Sequence, residues 1–176
     1  DPNYSIALSK ARHMANCIEQ CATCKLLAIK EVPLDQTAKQ MPQVIKELMA
    51  EHPEGITHFL VINDLYIDFA IPSLEASGID TAKLPSNISA GDGSRAAYLR
   101  INQGVHQRAT VPEPLNLQGW QVIDEFNRAF SNLPASGYSA PVHLVTRDNV
   151  ADLIGNRDVY DPENGYREAY LKIWEK

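Results

Sequence analysis

The chain has 176 residues, with 16 basic and 22 acidic side chains and a formal net charge of -6. Its apolar fraction of 44% and charged fraction of 22% are ordinary for a folded domain, and its length suits one domain, or one domain and part of another. The acidic balance argues against a nucleic-acid partner, because phosphate binding needs a basic face. No apolar window approaches the roughly 20 residues needed to span a bilayer.

Segments with apolar residues at helical spacing alternate along the chain with short, continuous apolar runs. Apolar residues recur at helical spacing and predict helices at 5–18, 36–50, 65–77, 94–103, 116–130 and from 161 to the C-terminus. Apolar runs too short for a helix predict strands at 25–32, 57–62, 87–90, 107–111 and 142–146. This alternation implies right-handed crossovers between parallel strands. The predicted fold is therefore α/β, a three-layer α-β-α arrangement with a mostly parallel sheet.

Several residues indicate where individual helices begin. Asn3 or Ser5 is expected to cap the first helix, and Pro42 is expected either to begin or to kink the second. Asp161 and Pro162 are a typical pair for the N-cap and first position of the last helix. Because the chain starts at a helix entrance without a methionine, we expect it to be a fragment of a longer protein.

Polar side chains follow three of the predicted strands. Asn63, Asp92 and Glu113 each lie within two residues of a predicted strand end. Because open parallel sheets bind ligands beyond the carboxyl ends of their strands, we expect the three side chains at one rim. The glycines beside Asp92 serve either a tight turn or close approach to a ligand. Pro112 and Pro114 around Glu113 indicate either a stiff crossover or an ordinary rigid linker.

Three cysteines are clustered near the end of the first helix, at Cys17, Cys21 and Cys24. Their spacing is that of the iron–sulfur ligands in radical S-adenosylmethionine enzymes, but Cys17 lies on a predicted helix and the chain is too short for the barrel of those enzymes. A local disulfide is expected instead, between Cys21 and Cys24 or between Cys17 and one of them. Buried free cysteines are the alternative.

Catalytic patterns are absent from the sequence. The histidines are scattered without metal-ligand spacing, and no serine sits in a nucleophile elbow. We therefore expect neither an enzyme nor a bound metal or cofactor.

An ordered set of motifs over 57–120 resembles the C-terminal half of type I periplasmic sugar-binding proteins of ABC transporters, the ribose- and galactose-binding kind. The pattern extends to the apolar run at 142–146 and to the last helix. Four features match in order: Asn63-Asp64 after an apolar strand, the turn Gly91-Asp92-Gly93-Ser94, the segment ATVPEP at 109–114, and the helix that contains Gly119-Trp120.

The resemblance implies a division of the chain between two lobes joined by crossover segments. Residues 1–112 would form the second lobe, 113–147 a crossover and return segment of the first lobe, and 148–176 the crossover back with the C-terminal helix of the second lobe. The crossovers would lie near 112–115 and 146–150. With the core of the first lobe absent, the apolar face of the helix at 116–130 needs another cover, and a homodimer is one hypothesis.

The resemblance also implies a ligand set. Asn63, Asp92 and Glu113 would hydrogen-bond sugar hydroxyls, which both donate and accept. The sequence departs from the family at two positions. Leu34 stands where an aromatic ring often stacks on the sugar, and the region of a family arginine holds Ser9 and Lys10 instead. Tyr66 could supply a ring, although a packing role is favoured.

The function implied is non-catalytic capture of a monosaccharide or similar polyol for an ABC importer. The protein would be periplasmic, with an ABC transporter permease as its partner, and would close two lobes around the sugar. The alternative is the effector-binding domain of a LacI-type transcriptional regulator, which shares the fold. Neither role requires this chain to contact nucleic acid.

Overall fold

The computed structural model of the chain describes residues 1–53, 55–154 and 159–175. These residues form six α-helices and three β-strands, with three short 3-10 turns. In chain order they are α1 (Ser5–Glu19), α2 (Thr37–Glu51), β1 (His58–Val61), α3 (Asp64–Glu75), β2 (Ser86–Ser89), α4 (Arg95–Gln103), β3 (Gln107–Thr110), α5 (Leu115–Phe130) and α6 (Tyr166–Trp174). The described helices are all too short or too polar to cross a membrane.

The three strands form a parallel sheet in the order β1-β2-β3. His58 is opposite Ser86 in the first pair, and Asn87 is opposite Gln107 in the second. Helices α3 and α4 are the two crossovers, and α2 packs against α3. The expected α/β class, with a parallel sheet and covering helices, is confirmed. This topology places the carboxyl ends of all three strands at one rim.

Two apolar clusters form the core of the described chain. The first joins α2, α3 and the segment before α2, through Val32, Met41, Ile45, Tyr66, Ala70 and Leu74. The second joins α4 to the chain after α5, through Tyr98, Ile101, Val145, Val150 and Leu153. The second cluster fixes the returning segment beside β3, where Thr110 and Val145 form an antiparallel bridge.

Two of the predicted strands do not form. The segment 25–32 lies outside any strand and makes no backbone-to-backbone hydrogen bonds within the described chain, and Leu27 and Ile29 are exposed. An apolar run becomes a strand only when a neighbouring strand completes its hydrogen bonds, and β1 has no second neighbour here. The segment 142–146 contributes only the single bridge at Val145.

The ends of the helices also differ from expectation. Tyr4, rather than Asn3 or Ser5, is the N-cap of α1, and no side chain caps that end. Pro42 lies inside α2 and does not begin it. Helix α6 begins at Tyr166 and not at Pro162, because the left-handed backbone of Gly165 (φ +73°) interrupts any helix from 162; the Asp161 carboxylate accepts from the Tyr166 hydroxyl and the Arg167 guanidinium.

Helix α5 forms as its apolar spacing predicts, but much of its apolar face is uncovered. Leu117 is buried, and Trp120 stacks on Trp174 of α6 with ring centroids 5.3 Å apart. The uncovered α5 face consists of residues that are each at least half exposed: Val122, Ile123, Phe126 and Phe130. The expectation of an apolar face without its cover therefore holds for this part of the helix.

Candidate functional site

The residues predicted at the strand ends meet at the carboxyl rim of the sheet. Hydrogen bonds continue between the strands just beyond their ends, from Ala90 N to Val61 O at 2.9 Å and from Val111 N to Ser89 O at 3.1 Å. The loops that carry Asn63, Asp92 and Glu113 therefore leave the sheet side by side. We call Asn63, Asp92, Glu113 and their direct polar partners Lys10 and Gln118 the polar rim.

Asn63 and Asp92 form a hydrogen-bonded pair in the polar rim. Asn63 Nδ2 donates to Asp92 Oδ2 at 2.5 Å, and Asn63 Oδ1 accepts from Leu65 N at 2.8 Å, which caps α3. The amide is therefore fixed at both ends. Asp92 is exposed, and its Oδ1 makes no hydrogen bond within the described residues. That oxygen is available to accept from a ligand.

Glu113 joins the same group through its backbone and its carboxylate. Its amide N donates to Asp92 O at 3.1 Å. Lys10 Nζ lies 3.3 Å from Glu113 Oε1, and Gln118 Nε2 donates to Oε2 at 2.9 Å. Lys10 Nζ also donates to Ala90 O at 2.9 Å. The carboxylate is held by one residue of α1 and one of α5.

Sequence reasoning missed two members of the polar rim. The sequence motifs place Lys10 only in the region of a family arginine, and the structure places its ammonium directly at the rim. The helical position of Lys10 carries no signal for this, because its partners Ala90 and Glu113 lie 80 and 103 positions further along the chain. Gln118 gives a local signal, since it lies in the first turns of α5, five residues after Glu113.

A buried carboxylate holds the turn that carries Asp92. Asp64, only 2% exposed, accepts hydrogen bonds at Oδ2 from Gly93 N at 2.8 Å and Ser94 N at 3.1 Å. Thr110 Oγ1 donates to the same oxygen at 3.3 Å. Asp64 thus fixes the turn from beneath, with its charge balanced by donors. It is a positioning residue, not a surface group.

The glycine-rich turn is also closely packed. A Cβ on Gly93 would lie 2.3 Å from Pro112 Cβ and 2.5 Å from the Tyr98 hydroxyl oxygen, and its φ is +83°. Only glycine fits this approach of the turn to the segment before Glu113. The glycine is therefore required by packing as well as by turn geometry.

The segment around Glu113 borders a cavity of about 280 Å³. Pro112, Glu113, Pro114, Gln118 and Gln121 line one side of it, and residues 138–142 line the other. Asn63 and Asp92 do not line this cavity, nor a larger one of about 510 Å³ around Asp161 and Tyr166. The polar rim thus extends from this cavity, at Glu113 and Gln118, to the exposed surface at Asp92.

Tyr66, the candidate stacking ring, is part of the core. It is 6% exposed, and its hydroxyl donates to Val32 O at 2.7 Å. Burial raises the pKa of the Tyr66 phenol above its ordinary value. The favoured packing role is what the structure shows. Leu34, where the resemblance expects an aromatic residue, is 37% exposed.

The polar rim combines acceptors and donors suited to hydroxyl groups. Carboxylate and amide oxygens accept, and the ammonium and amide nitrogens donate. Its members are two carboxylates, two amides and one ammonium, with no serine, cysteine or histidine among them. Within the described ranges, no three His, Cys, Asp or Glu side chains gather as a metal ion would require.

The three cysteines are resolved into one disulfide and one thiol. Cys21 is bonded to Cys24, and Cys17 is exposed and unpaired. This is one of the pairings that the spacing left open. The disulfide closes the turn after α1 and lies outside the polar rim.

No family model matches the chain, and no curated protein matches its sequence. Solved structures share its fold. A galactofuranose-binding protein is 20% identical over 84% of this chain and 50% of its own, with a TM-score of 0.69. A Mycobacterium smegmatis protein in complex with β-D-fucofuranose is 18% identical over 90% of this chain and 48% of its own, with a TM-score of 0.68. The chain has the fold of a type I periplasmic binding protein lobe.

A further neighbour of this lobe is an ABC transporter solute-binding protein from Agrobacterium vitis with bound allitol. It is 19% identical over 81% of this chain and 49% of its own, with a TM-score of 0.68. The lobe spans about half the length of the structures it matches. The resemblance stated from the sequence motifs is therefore confirmed at the level of the fold.

Proposed function

We propose that this chain is part of a solute-binding protein that captures a monosaccharide or similar polyol without transforming it. The observation that carries the proposal is the meeting of Asn63, Asp92 and Glu113, from three separate loops, at one rim of the sheet. The rim offers both hydrogen-bond donors and hydrogen-bond acceptors. The neighbours of the fold are described as binding galactofuranose, fucofuranose and allitol, which are all rich in hydroxyl groups.

Four residues of the polar rim contact the sugar or hold one that does in this proposal. The unoccupied Oδ1 of Asp92 accepts from a sugar hydroxyl, and Asn63 holds that carboxylate in place while offering its remaining N–H. Lys10 uses two of its three donors on Ala90 O and Glu113, which leaves one for the sugar. Glu113 fixes Lys10 and accepts at its remaining lone pairs.

The site is completed, in our proposal, by a second lobe across a cleft. Residues 1–112 form one lobe, 113–147 belong to the other, and 148–176 return to the first, although 54, 155–158 and 176 lie outside the described residues. The other lobe covers the uncovered α5 face, whose Phe126 and Phe130 are 54% and 82% exposed. In the isolated chain a second copy could take that place, and light scattering distinguishes the resulting homodimer from a monomer.

We further propose that the protein works in the periplasm and delivers its ligand to an ABC transporter permease. Closure of the lobes about the segments near 112–115 and 146–150 would signal occupancy to that partner. The Cys21–Cys24 disulfide supports an oxidising compartment over the cytosol, where a LacI-type regulator would act. The sequence upstream of Asp1 distinguishes the two, because an exported protein carries a signal peptide and a regulator carries a helix-turn-helix.

Calorimetry of the full-length protein against a panel of pentoses, hexoses and polyols tests the proposed function. At least one of them is expected to bind, and Asp92→Ala to weaken that binding by about tenfold or more, because a hydrogen bond to a charged acceptor is lost. Asp152→Ala, at an exposed carboxylate outside the rim, is the matched control and leaves affinity unchanged. Absence of binding to the whole panel, or equal affinity of the Asp92→Ala variant, contradicts the proposal.

A further inference from the structure

The ion pair between Lys10 and Glu113 determines which charges the polar rim shows to a ligand. Their charged atoms lie 3.3 Å apart, and the side chains are 30% and 37% exposed. The pair is therefore at the surface where a ligand would enter. Gln118 holds the other oxygen of Glu113 at 2.9 Å, so the carboxylate cannot swing away without losing two partners.

The charges in the polar rim do not cancel. Lys10 and Glu113 neutralise each other, and the charge of Asp92 remains, which leaves a net charge of -1 on these three side chains. Asp92 is exposed, and its only hydrogen bond among the described side chains comes from the neutral amide of Asn63. A ligand carboxylate placed at this rim would face an uncompensated carboxylate and a lysine that is already paired.

We propose that Glu113 is a specificity-determining residue that makes the polar rim reject sugar acids in favour of neutral sugars. It does so by occupying the ammonium of Lys10, which would otherwise bind the carboxylate of a uronic or aldonic acid. This inference rests on the proposed sugar-binding function. Repulsion of the wrong ligand by a like charge is a common source of specificity, and here it comes from Asp92 and Glu113 together.

The geometry of Lys10 supports this role. Its ammonium has three donors, of which Ala90 O and Glu113 Oε1 take two. The remaining N–H donor of Lys10 is enough to bind a sugar hydroxyl oxygen. A carboxylate would need the charge of Lys10 as well, and Glu113 already compensates that charge. With glutamine at position 113, the side chain keeps its size and its amide can still meet Gln118, but Lys10 loses its ion-pair partner and the three positions no longer carry a net negative charge.

The test compares matched neutral and acidic ligands, such as galactose with galacturonate and glucose with glucuronate, on the full-length protein by calorimetry. We expect the neutral member of the tightest pair to bind about tenfold or more tightly than the acid. Glu113→Gln is expected to reduce this preference by about tenfold, mainly by strengthening binding of the acid. Glu51→Gln is the matched control, because it breaks the Lys30–Glu51 pair, whose charged atoms are also 3.3 Å apart, outside the rim.

A double variant separates charge selectivity from loss of structure. In Lys10→Gln/Glu113→Gln the cation is removed as well, so the preference for the neutral sugar is expected to return, with circular dichroism confirming the fold of each variant. The inference is overturned if the wild-type protein binds the acid as tightly as the neutral sugar, or if Glu113→Gln leaves the ratio unchanged. Failure of every ligand, neutral and acidic, to bind instead overturns the proposed function and the inference with it.

Discussion

Asp64 Oδ1 accepts a hydrogen bond of 2.7 Å from Gln107 Nε2, between the first turn of α3 and the start of β3. Gln107 is fully buried, and its Oε1 accepts in turn from Arg100 Nε and Nη2 at 3.0 and 2.9 Å. The other oxygen of Asp64 holds Gly93 N and Ser94 N. One buried carboxylate therefore ties the rim turn to β3 and α4, and the position of Asp92 depends on it.

Replacing this carboxylate should destabilise the fold. In Asp64→Asn, one acceptor oxygen becomes an amide that faces donors, so at least one buried donor loses its partner. The free energy of unfolding, measured by urea denaturation, is expected to fall by about 2–4 kcal/mol. Asp80→Asn, at an exposed residue that caps a short 3-10 turn, is the control and should cost less than about 1 kcal/mol. Equal losses in the two variants would contradict the role given to Asp64.

Two glycines in turns separate the effect of close packing on stability from the effect of backbone strain. Gly93 and Gly78 have similar φ values, +83° and +76°, but a Cβ on Gly78 meets nothing within 4 Å. Gly78→Ala is expected to cost about 1–2 kcal/mol of unfolding free energy from the left-handed backbone alone. Gly93→Ala is expected to cost about 1–3 kcal/mol more, because Pro112 and the buried Tyr98 obstruct the new methyl group. Similar midpoints for the two variants in urea would exclude close packing as the reason for Gly93.

The placement of Asn63, Asp92 and Glu113 at one edge of the sheet could be predicted from the sequence, because the strand topology determines it. Once 57–62, 87–90 and 107–111 are assigned as parallel strands, the residues after them must leave the sheet at the same edge. The side chains of Asn63 and Asp92 then need only short loops to meet. The apolar runs predict where the strands lie, and the rule that parallel strands bind ligands beyond their carboxyl ends predicts this part of the site.

Other parts of the site and of the fold depend on contacts between segments that are far apart in the sequence, and these could not be predicted. Lys10 reaches Glu113 across 103 positions of the chain, and no local pattern reports that approach. The run at 25–32 has the composition of a strand but lacks a paired neighbour. Helix α5 has the expected apolar face, yet periodicity does not reveal which surface covers Phe126 and Phe130.

The cysteine pairing gives a direct chemical prediction. Because Cys21 and Cys24 are bonded and Cys17 is exposed, one thiol is expected to react with Ellman's reagent in the unreduced protein, and three after reduction in denaturant. The loop between the bonded cysteines is short, so reduction should lower the free energy of unfolding by only about 2 kcal/mol. Cys17→Ser is the control and should leave no reactive thiol before reduction. Three reactive thiols without a reductant would contradict the pairing.

Acid should weaken the contact between α5 and α6. Burial alone would raise the pKa of Asp124, but hydrogen bonds from Arg128 and Trp174 and the charge of Arg128 outweigh it, so the pKa lies below its ordinary value. A carboxyl whose pKa is lowered by folding contributes stability above its unfolded pKa, about 4, and loses that contribution as the pH falls through the lower folded value. The contact is therefore expected to hold at neutral pH and to weaken below about pH 4.

The two tryptophans of the chain report this change, because Trp120 and Trp174 stack on each other beside Asp124. At pH 7, Asp124→Asn is expected to lower the free energy of unfolding by about 1–3 kcal/mol, because it removes a charge-assisted hydrogen bond. Urea unfolding monitored by tryptophan fluorescence measures this loss. At pH 3 the difference from the wild-type protein should shrink, because part of the wild-type population has then lost the same charge. Asp148→Asn, at an exposed carboxylate, should show no difference at either pH. A loss in Asp124→Asn that stays constant from pH 7 to pH 3 would mean that the shape of the side chain, and not its charge, holds α6 on α5.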